Sequence, residues 1–85
     1  MEIEFDPAKD AINRIKHGLS FADFSGFDAD PIVTIDGRMD YGEVRYRAFG
    51  RISGAGHCLV FTMRGEAMRI IGFRRARDKE MRRYE

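Results

Sequence analysis

The fold of this chain depends on residues 43–73, which read EVRYRAFGRISGAGHCLVFTMRGEAMRIIGF. Residues 43–52 alternate between apolar and mostly basic side chains, which is typical of a strand buried on one face. The glycine-containing stretch 53–56 predicts a hairpin connection, and the nearly all-apolar residues 57–63 predict a central strand. A second polar turn leads into another predicted strand at 67–73. We therefore expect an antiparallel meander.

The amino-terminal segment predicts a short strand followed by two helices. Residues 2–5 alternate in polarity, as a strand does. Asp6 is a favoured N-cap and Pro7 suits the first helical position, so a helix should begin here and end at Gly18. Ser20 can cap a second helix. The buried stripe of the first helix is expected to consist of Ala8, Ala11, Ile12 and Ile15.

The remaining signals complete an α+β arrangement. A short apolar strand is predicted at 31–35, and residues 76–84 contain strong helix formers without Gly or Pro, which predicts a C-terminal helix. A run of strands with helices at its ends indicates an α+β fold with a mostly antiparallel sheet. The two N-terminal helices should cover one face of that sheet. Phe21, Phe24 and Phe27 are interpreted as core residues rather than as a ligand pocket.

Length and composition limit the class of protein. Eighty-five residues should form one domain, residues 1–85. The single cysteine excludes an internal disulfide and fits a reducing cytoplasm. Neither a signal peptide nor an apolar run of about 18 residues is recognisable, so we expect a cytoplasmic protein without membrane association. Two histidines and one cysteine without metal-ligand spacing, and no nucleotide-binding motif, predict neither metal nor cofactor.

Charge is distributed unevenly along the chain. The formal net charge is +1, but residues 1–43 hold four basic and ten acidic side chains, whereas residues 44–85 hold eleven basic and four acidic ones. Ten of those eleven basic residues are arginine, which suits bidentate contacts with phosphate. This asymmetry indicates an anionic partner for the second half. Solvated arginines on strand and helix faces are the alternative.

Candidate catalytic groups concentrate at the junction of the last strand and the C-terminal helix. Glu80 and Tyr84 fall on one helix stripe, with Arg83 beside it. Metal-free cleavage of a phosphodiester needs cations on the non-bridging oxygens, a base and an acid. Glu80 could be the base, or it could only pair with Arg77 or Arg83. Along the strand, Arg74 should lie on one face, and the other face should carry Arg69, Ile71, Phe73 and Arg75.

The whole chain resembles the BrnT family of toxins from type II toxin–antitoxin systems. The blocks that carry the resemblance keep their order and spacing across nearly all of the sequence, although no single block is specific. They are FDPAK at 5–9, KHG at 16–18, SF at 20–21, EVRYRAFGR at 43–51, VFT at 60–62, RG at 64–65, RII at 69–71, RRA at 74–76, KE at 79–80 and RY at 83–84.

The resemblance implies a RelE-like fold and a ribonuclease activity that halts translation. It also implies a cognate antitoxin of BrnA type, which carries a ribbon-helix-helix DNA-binding domain and represses the operon together with the toxin. The toxin would then meet DNA only through that complex. Related toxins place functional Arg, Glu and Tyr residues on the sheet and the C-terminal helix, which supports as catalytic residues Arg64, Arg75, Glu80 and Tyr84.

Two further sets of residues are candidates for contacts with RNA and with the antitoxin. RNA contacts are expected from Lys16, His17, Arg69, Arg74 and Arg83. His17 could instead only cap the first helix through the helix dipole. An acidic antitoxin segment is expected on the basic strand face, where charge and an apolar anchor combine, as interfaces favour; this face carries Arg45, Arg47, Phe49 and Arg51. Alternatively these arginines are solvated and the antitoxin docks on the two N-terminal helices.

Two non-enzymatic functions stay open at the level of the sequence. The basic face could hold RNA or an acidic antitoxin segment without chemistry, since a fold does not fix a function. The chain could also be a structural subunit that only stabilises its partner. RNA cleavage in excess EDTA would indicate a metal-independent enzyme, whereas retention of intact RNA would indicate a binding module.

Overall fold

A computed structural model describes residues 2–85 and contains a five-stranded mixed sheet with two α-helices. The strands are β1 (Glu2–Phe5), β2 (Ile32–Ile35), β3 (Tyr46–Ile52), β4 (Ala55–Arg64) and β5 (Ala67–Arg75). The helices are α1 (Pro7–His17) and α2 (Asp78–Tyr84), and a single 3-10 turn (Phe21–Asp23) follows α1. The α+β class is confirmed. No helix in residues 2–85 is long and apolar enough to cross a membrane.

The predicted meander is confirmed, with β4 at the centre of the strand order β1-β5-β4-β3-β2. β1 pairs in parallel with β5, and the other three pairings are antiparallel. Ser53 and Gly54 connect β3 to β4 with φ angles of 51° and 80°. Positive φ at both central residues is the geometry of a type I′ hairpin, whose twist matches that of the flanking strands.

The sheet has two faces with separate hydrophobic clusters. The core face carries the larger cluster, in which Phe21 packs against the sheet residues Ala48, Leu59, Phe61, Ile70 and Phe73. The α2 face carries the smaller cluster, formed by Phe49, Cys58 and Met81. Most of the buried apolar surface therefore lies on the side away from α2.

The buried stripe expected on α1 is wrong. The buried residues of the helix are Asp10 and Asn13, whereas Ile12 and Ile15 are 58% and 86% exposed. The reason is that α1 lies beside the part of β5 that extends past the end of β1, where backbone groups need other hydrogen-bond partners. The Asn13 amide donates to the Phe73 carbonyl at 2.8 Å and accepts from its N–H at 3.2 Å.

The prediction of a second helix is also wrong, because only the single 3-10 turn forms. Ser20 caps this turn by accepting from the Ala22 N–H at 3.2 Å, and it donates to the Asp10 carboxylate at 3.1 Å. Gly26 has a φ of 121°, which no α-helix accommodates. An aromatic segment therefore covers the core face in place of two helices, and the core role is confirmed for Phe21, Phe24 and Phe27.

A bulge in the β4–β5 ladder changes which arginines share a face. The register shifts by one residue at Ile71, which has no residue directly opposite it. A shift of one residue exchanges the two faces of a strand. Arg69 therefore lies on the α2 face with Arg74, while Arg75 shares the core face with Phe73. The predicted common face of Arg69, Ile71, Phe73 and Arg75 is wrong, because alternation holds only along an unbulged strand.

Candidate active site

The helix α2 packs on one end of the α2 face and forms one side of the site. A Cβ atom on Gly56 would approach the Cγ of Met81 to 2.5 Å, so glycine at this position allows the helix to sit close to β4. Tyr84 stacks on Phe49 with ring centroids 4.1 Å apart and planes 10° apart. These contacts hold the charged residues of α2 next to the strands.

The loop of residues 36–45, between β2 and β3, brings a second set of charged groups to the same face. Asp36 accepts two hydrogen bonds of 2.7 Å from the Arg38 guanidinium, and its carboxylate is almost fully buried. This pairing lowers the pKa of Asp36 to about 2, and the charge of Arg47 acts in the same direction. The hydroxyl of Tyr41 lies 3.4 Å from Asp36, and the Arg45 guanidinium lies 4.0 Å from the centre of the Tyr41 ring.

The positive charges of three guanidiniums act on one buried sulfur on the α2 face. Burial raises the pKa of the Cys58 thiol, and the positive charges of Arg74, Arg47 and Arg38 act in the opposite direction. The Nε atom of Arg47 is buried and has no hydrogen-bond partner among residues 2–85. We call Arg38, Arg47 and Arg74 the arginine cluster. Its charge is only partly balanced by the two carboxylates that bind it, Asp36 and Glu80.

Glu80 holds Arg74 in this cluster. Its carboxylate accepts from both terminal nitrogens of Arg74, at 2.8 and 2.9 Å, and from the backbone N–H of Arg77 at 3.1 Å. The Arg74 bonds, followed by that of Arg77, lower the pKa of Glu80 to about 2 despite partial burial. A carboxylate with this pKa is ionised at neutral pH but is a weak base. In this arrangement Glu80 positions Arg74.

The structure brings together only two of the four expected catalytic residues. Glu80 and Tyr84 lie one helical turn apart and line the same groove on α2. Arg64 is the last residue of β4, six positions from Cys58, which corresponds to about 20 Å along a strand. Arg75 points to the core face, away from the arginine cluster. Arg64 and Arg75 are therefore separated from Glu80.

The expected RNA contacts are dispersed as well. Arg74 belongs to the arginine cluster, and Arg69 lies on the same face but pairs with a glutamate of β1 at 3.5 Å. Arg83 is exposed on α2 beside the groove of Glu80. Lys16 and His17 lie at the end of α1, where they line a different groove, at the edge of β5.

The expected antitoxin face is largely engaged within the chain. Phe49 is 2% exposed beneath Tyr84, so its expected role as an exposed apolar anchor is wrong. Arg51 makes hydrogen bonds of 2.7 and 3.0 Å to the Glu85 side chain, and Arg45 stacks on a tyrosine. The reason is that α2 and the loop of residues 36–45 lie over the strand face that the alternation predicts to be open.

Asp36, Arg38 and Tyr41 were not among the residues predicted from the sequence to form the site. The signal that could have identified them is a set of charged and phenolic residues within six positions of one loop. Loops positioned by a rigid scaffold often carry function. In residues 2–85, no group of three or more His, Cys, Asp or Glu side chains is arranged to hold a metal ion.

Comparison with known proteins identifies the family of this chain. A family model described as the ribonuclease toxin BrnT of type II toxin–antitoxin systems matches residues 5–80, which include the arginine cluster, Asp36 and Glu80. No curated protein matches the chain. Because the match spans nearly the whole sequence, the chain belongs to the BrnT family of type II ribonuclease toxins.

Proposed function

We propose that this toxin cleaves RNA at the arginine cluster without a metal ion, and that the cleavage halts translation until an antitoxin binds. The observation that carries the proposal is that the positive charges of Arg38, Arg47 and Arg74 all act at Cys58 on the α2 face, where Arg74 lies directly opposite Cys58 in the strand ladder, and that a buried Arg47 donor has no partner in residues 2–85. A buried unpaired donor gains a hydrogen bond when a phosphate oxygen arrives. The guanidinium of arginine is also the side-chain group best suited to bidentate hydrogen bonding with phosphate.

Metal-free cleavage of RNA can use the ribose 2′-hydroxyl as the nucleophile. Its oxygen attacks the adjacent phosphorus, a 2′,3′-cyclic phosphate forms, and the bond to the 5′-oxygen breaks as that oxygen takes up a proton. Negative charge on the phosphoryl oxygens increases in the transition state, so fixed cations stabilise it more than the ground state. The arginine cluster would supply those cations.

Glu80 is the base in this proposal, and substrate binding prepares it for that role. Its pKa of about 2 is caused chiefly by Arg74. A phosphate that takes over the Arg74 N–H groups removes this cause, so the pKa of Glu80 rises and the carboxylate becomes a stronger base. Tyr84, in the same groove, is the proposed acid for the leaving oxygen. Arg64, Arg69 and Arg75 would contact RNA beyond the scissile phosphate.

The biological setting of the proposal follows from the family. A cognate antitoxin of BrnA type, with a ribbon-helix-helix domain, would neutralise the toxin in the cytoplasm. The complex would bind operator DNA through the antitoxin and repress its own operon. The toxin itself would contact RNA and the antitoxin only.

The test is RNA degradation by the purified chain in excess EDTA. We expect cleavage by the parent and a loss of about 100-fold or more in the Arg74→Gln variant, as for removal of one transition-state donor elsewhere. Arg82→Gln, an exposed position on α2, is the matched control and should retain activity. Full inhibition by EDTA, or RNA that is bound but stays intact, would contradict the proposal; the latter outcome would identify a binding module.

A further inference from the structure

The outer side of α1 carries an apolar stripe that is left exposed by the way the helix docks. Asn13 faces β5 and Asp10 faces the 3-10 turn, so Ile12, at the rim of the contact with β5, and Ile15, on the outer side, are left exposed. These two positions are one helical turn apart and therefore lie on one stripe. Large aliphatic side chains that are exposed together mark surfaces for binding other molecules.

The stripe borders a groove of about 230 Å³ between α1 and the bulged part of β5. Ile12 and Ile71 form its apolar part, and the bulge places Ile71 there. Lys9, Lys16 and His17 line it as well. No carboxylate in the described part of the chain lines the groove, because the single acidic residue of α1 is turned toward the 3-10 turn. The groove thus combines an apolar floor with positive charge.

We propose that this groove and the α1 stripe bind an acidic segment of the antitoxin whose apolar side chains contact Ile12, Ile15 and Ile71. The family supplies the partner, since a type II toxin is paired with an antitoxin. The positive charge of the groove indicates that the bound segment is negatively charged, because oppositely charged surfaces steer association and select partners. A second copy of the toxin fits poorly: a twofold contact would place Lys9 and Lys16 against the same cations.

RNA also fits this surface less well than a protein segment does. Ile15, the most exposed side chain of the stripe, offers an RNA phosphate neither a positive charge nor a hydrogen-bond donor. Base stacking of single strands normally uses aromatic platforms, and no Phe, Tyr or Trp is among the residues that line this groove. Lys16 and His17 are therefore assigned to the antitoxin rather than to RNA.

The position of the groove explains how a bound segment could silence the toxin. Gly72 lines the groove, and Arg74 lies two residues further along β5 on the same face, a distance of about 7 Å. A segment that continues along β5 would bring its carboxylates to Arg74 and compete with the substrate phosphate. This step rests on the proposed function, whereas the docking itself does not.

The test is a titration of the toxin with its cognate antitoxin, each as the full purified chain. The variant Ile12→Glu/Ile15→Glu places negative charge on the stripe at exposed helical positions, so the fold should be kept, as circular dichroism will verify. We expect at least about a 100-fold increase in Kd, the size typical of central interface anchors. Ile35→Glu, an equally apolar and exposed position on β2, is the control and should stay within about threefold.

The same variants separate the possible occupants of the groove. Unchanged RNA cleavage by the Ile12→Glu/Ile15→Glu variant together with lost antitoxin binding supports the proposal. Antitoxin affinity within threefold of the parent overturns it. The proposal is equally overturned if the variant still binds the antitoxin but no longer binds RNA. It is also overturned if the parent toxin alone dimerises through this stripe. A toxin that binds the antitoxin here but does not cleave RNA leaves the docking intact and refutes only the proposed function.

Discussion

The carboxylate of Glu80 links the stability of the fold to pH. Its pKa falls from an ordinary 4.5 to about 2 because Arg74 binds it, and the pKa of Asp36 falls to about 2 because Arg38 binds it. For a carboxylate with a lowered pKa in the folded state, the stabilisation is present above the ordinary pKa and is lost as the pH falls toward the folded value. Both groups therefore stabilise the fold at neutral pH.

We predict that the free energy of unfolding decreases between about pH 4.5 and pH 2, and that Glu80→Gln reduces this dependence. The charged pair contributes about 1–3 kcal/mol after allowance for its partial exposure to solvent. Urea unfolding across that pH range measures the effect. Glu66→Gln removes an exposed carboxylate in a turn and should leave the pH dependence as in the parent. If Glu80→Gln and Glu66→Gln show the same pH dependence of stability, the pH dependence does not come from the Glu80 carboxylate.

Asn13 has an effect that its neighbours on α1 lack. Its amide satisfies the N–H and the carbonyl of Phe73, and it also donates to the carbonyl of Leu19 at 2.8 Å. We predict that Asn13→Ala destabilises the fold by about 2–4 kcal/mol, because buried backbone groups lose their partners. Ile15→Ala on the same helix should change stability by less than about 0.5 kcal/mol. Urea midpoints of the two variants give the comparison. Equal midpoints would show that the hydrogen bonds of Asn13 to the backbone at the edge of β5 do not stabilise the fold.

At the level of elements, what the sequence predicted depends on local signals. The N-cap at Asp6, the stop at Gly18 and the turn at Ser53 and Gly54 are encoded by the residues themselves, and the structure confirms each of them. The face that α1 buries is not encoded in this way. It depends on β5 extending past β1, and no spacing within α1 reveals that a strand edge needs an amide.

The site was predicted less completely than the fold for a related reason. Residues on α2 were found because helical spacing places Glu80 near Tyr84. The bulge at Ile71 changes the faces of β5 without a glycine or proline to mark it. Arg38 reaches the cluster through a loop, and no periodic pattern describes a loop. Long-range placement of this kind follows only from the assembled sheet.

The docking of α2 gives a prediction at this scale. We expect Gly56→Ala to destabilise the fold by about 1–3 kcal/mol through overpacking against Met81, and to lower RNA cleavage because Glu80 moves with the helix. Met81→Ala in the same chain returns space beside position 56. The double variant should be destabilised by less than the sum of the two single effects, and its cleavage rate should exceed the value obtained by multiplying the two single rate effects. Strict additivity would show that Gly56 and Met81 are not coupled.

For the whole molecule, the separation of charge predicts how RNA affinity responds to salt. Three phosphate contacts from the arginine cluster should give a slope of about −2 in log K against log salt, at about −0.7 for each contact on a single strand. Binding of an RNA with 2′-O-methyl groups, which blocks cleavage, measures the slope without turnover. Arg47→Gln should make it shallower by about 0.7. An RNA affinity that does not change with salt concentration would contradict the electrostatic basis of binding.

The parallel pairing of β1 with β5 has a consequence for synthesis of the toxin in the cell. β1 is synthesised long before the strand with which it pairs, since the paired residues Glu4 and Arg69 lie 65 positions apart in the chain. Contacts this distant in sequence form late in folding. Arg74 and Glu80 are later still in the order of translation, so the ion pair between them forms only after β5 and α2 have been synthesised. The arginine cluster is therefore completed only by elements that follow β4 in the chain, the same part of the sequence that supplies the partner of β1.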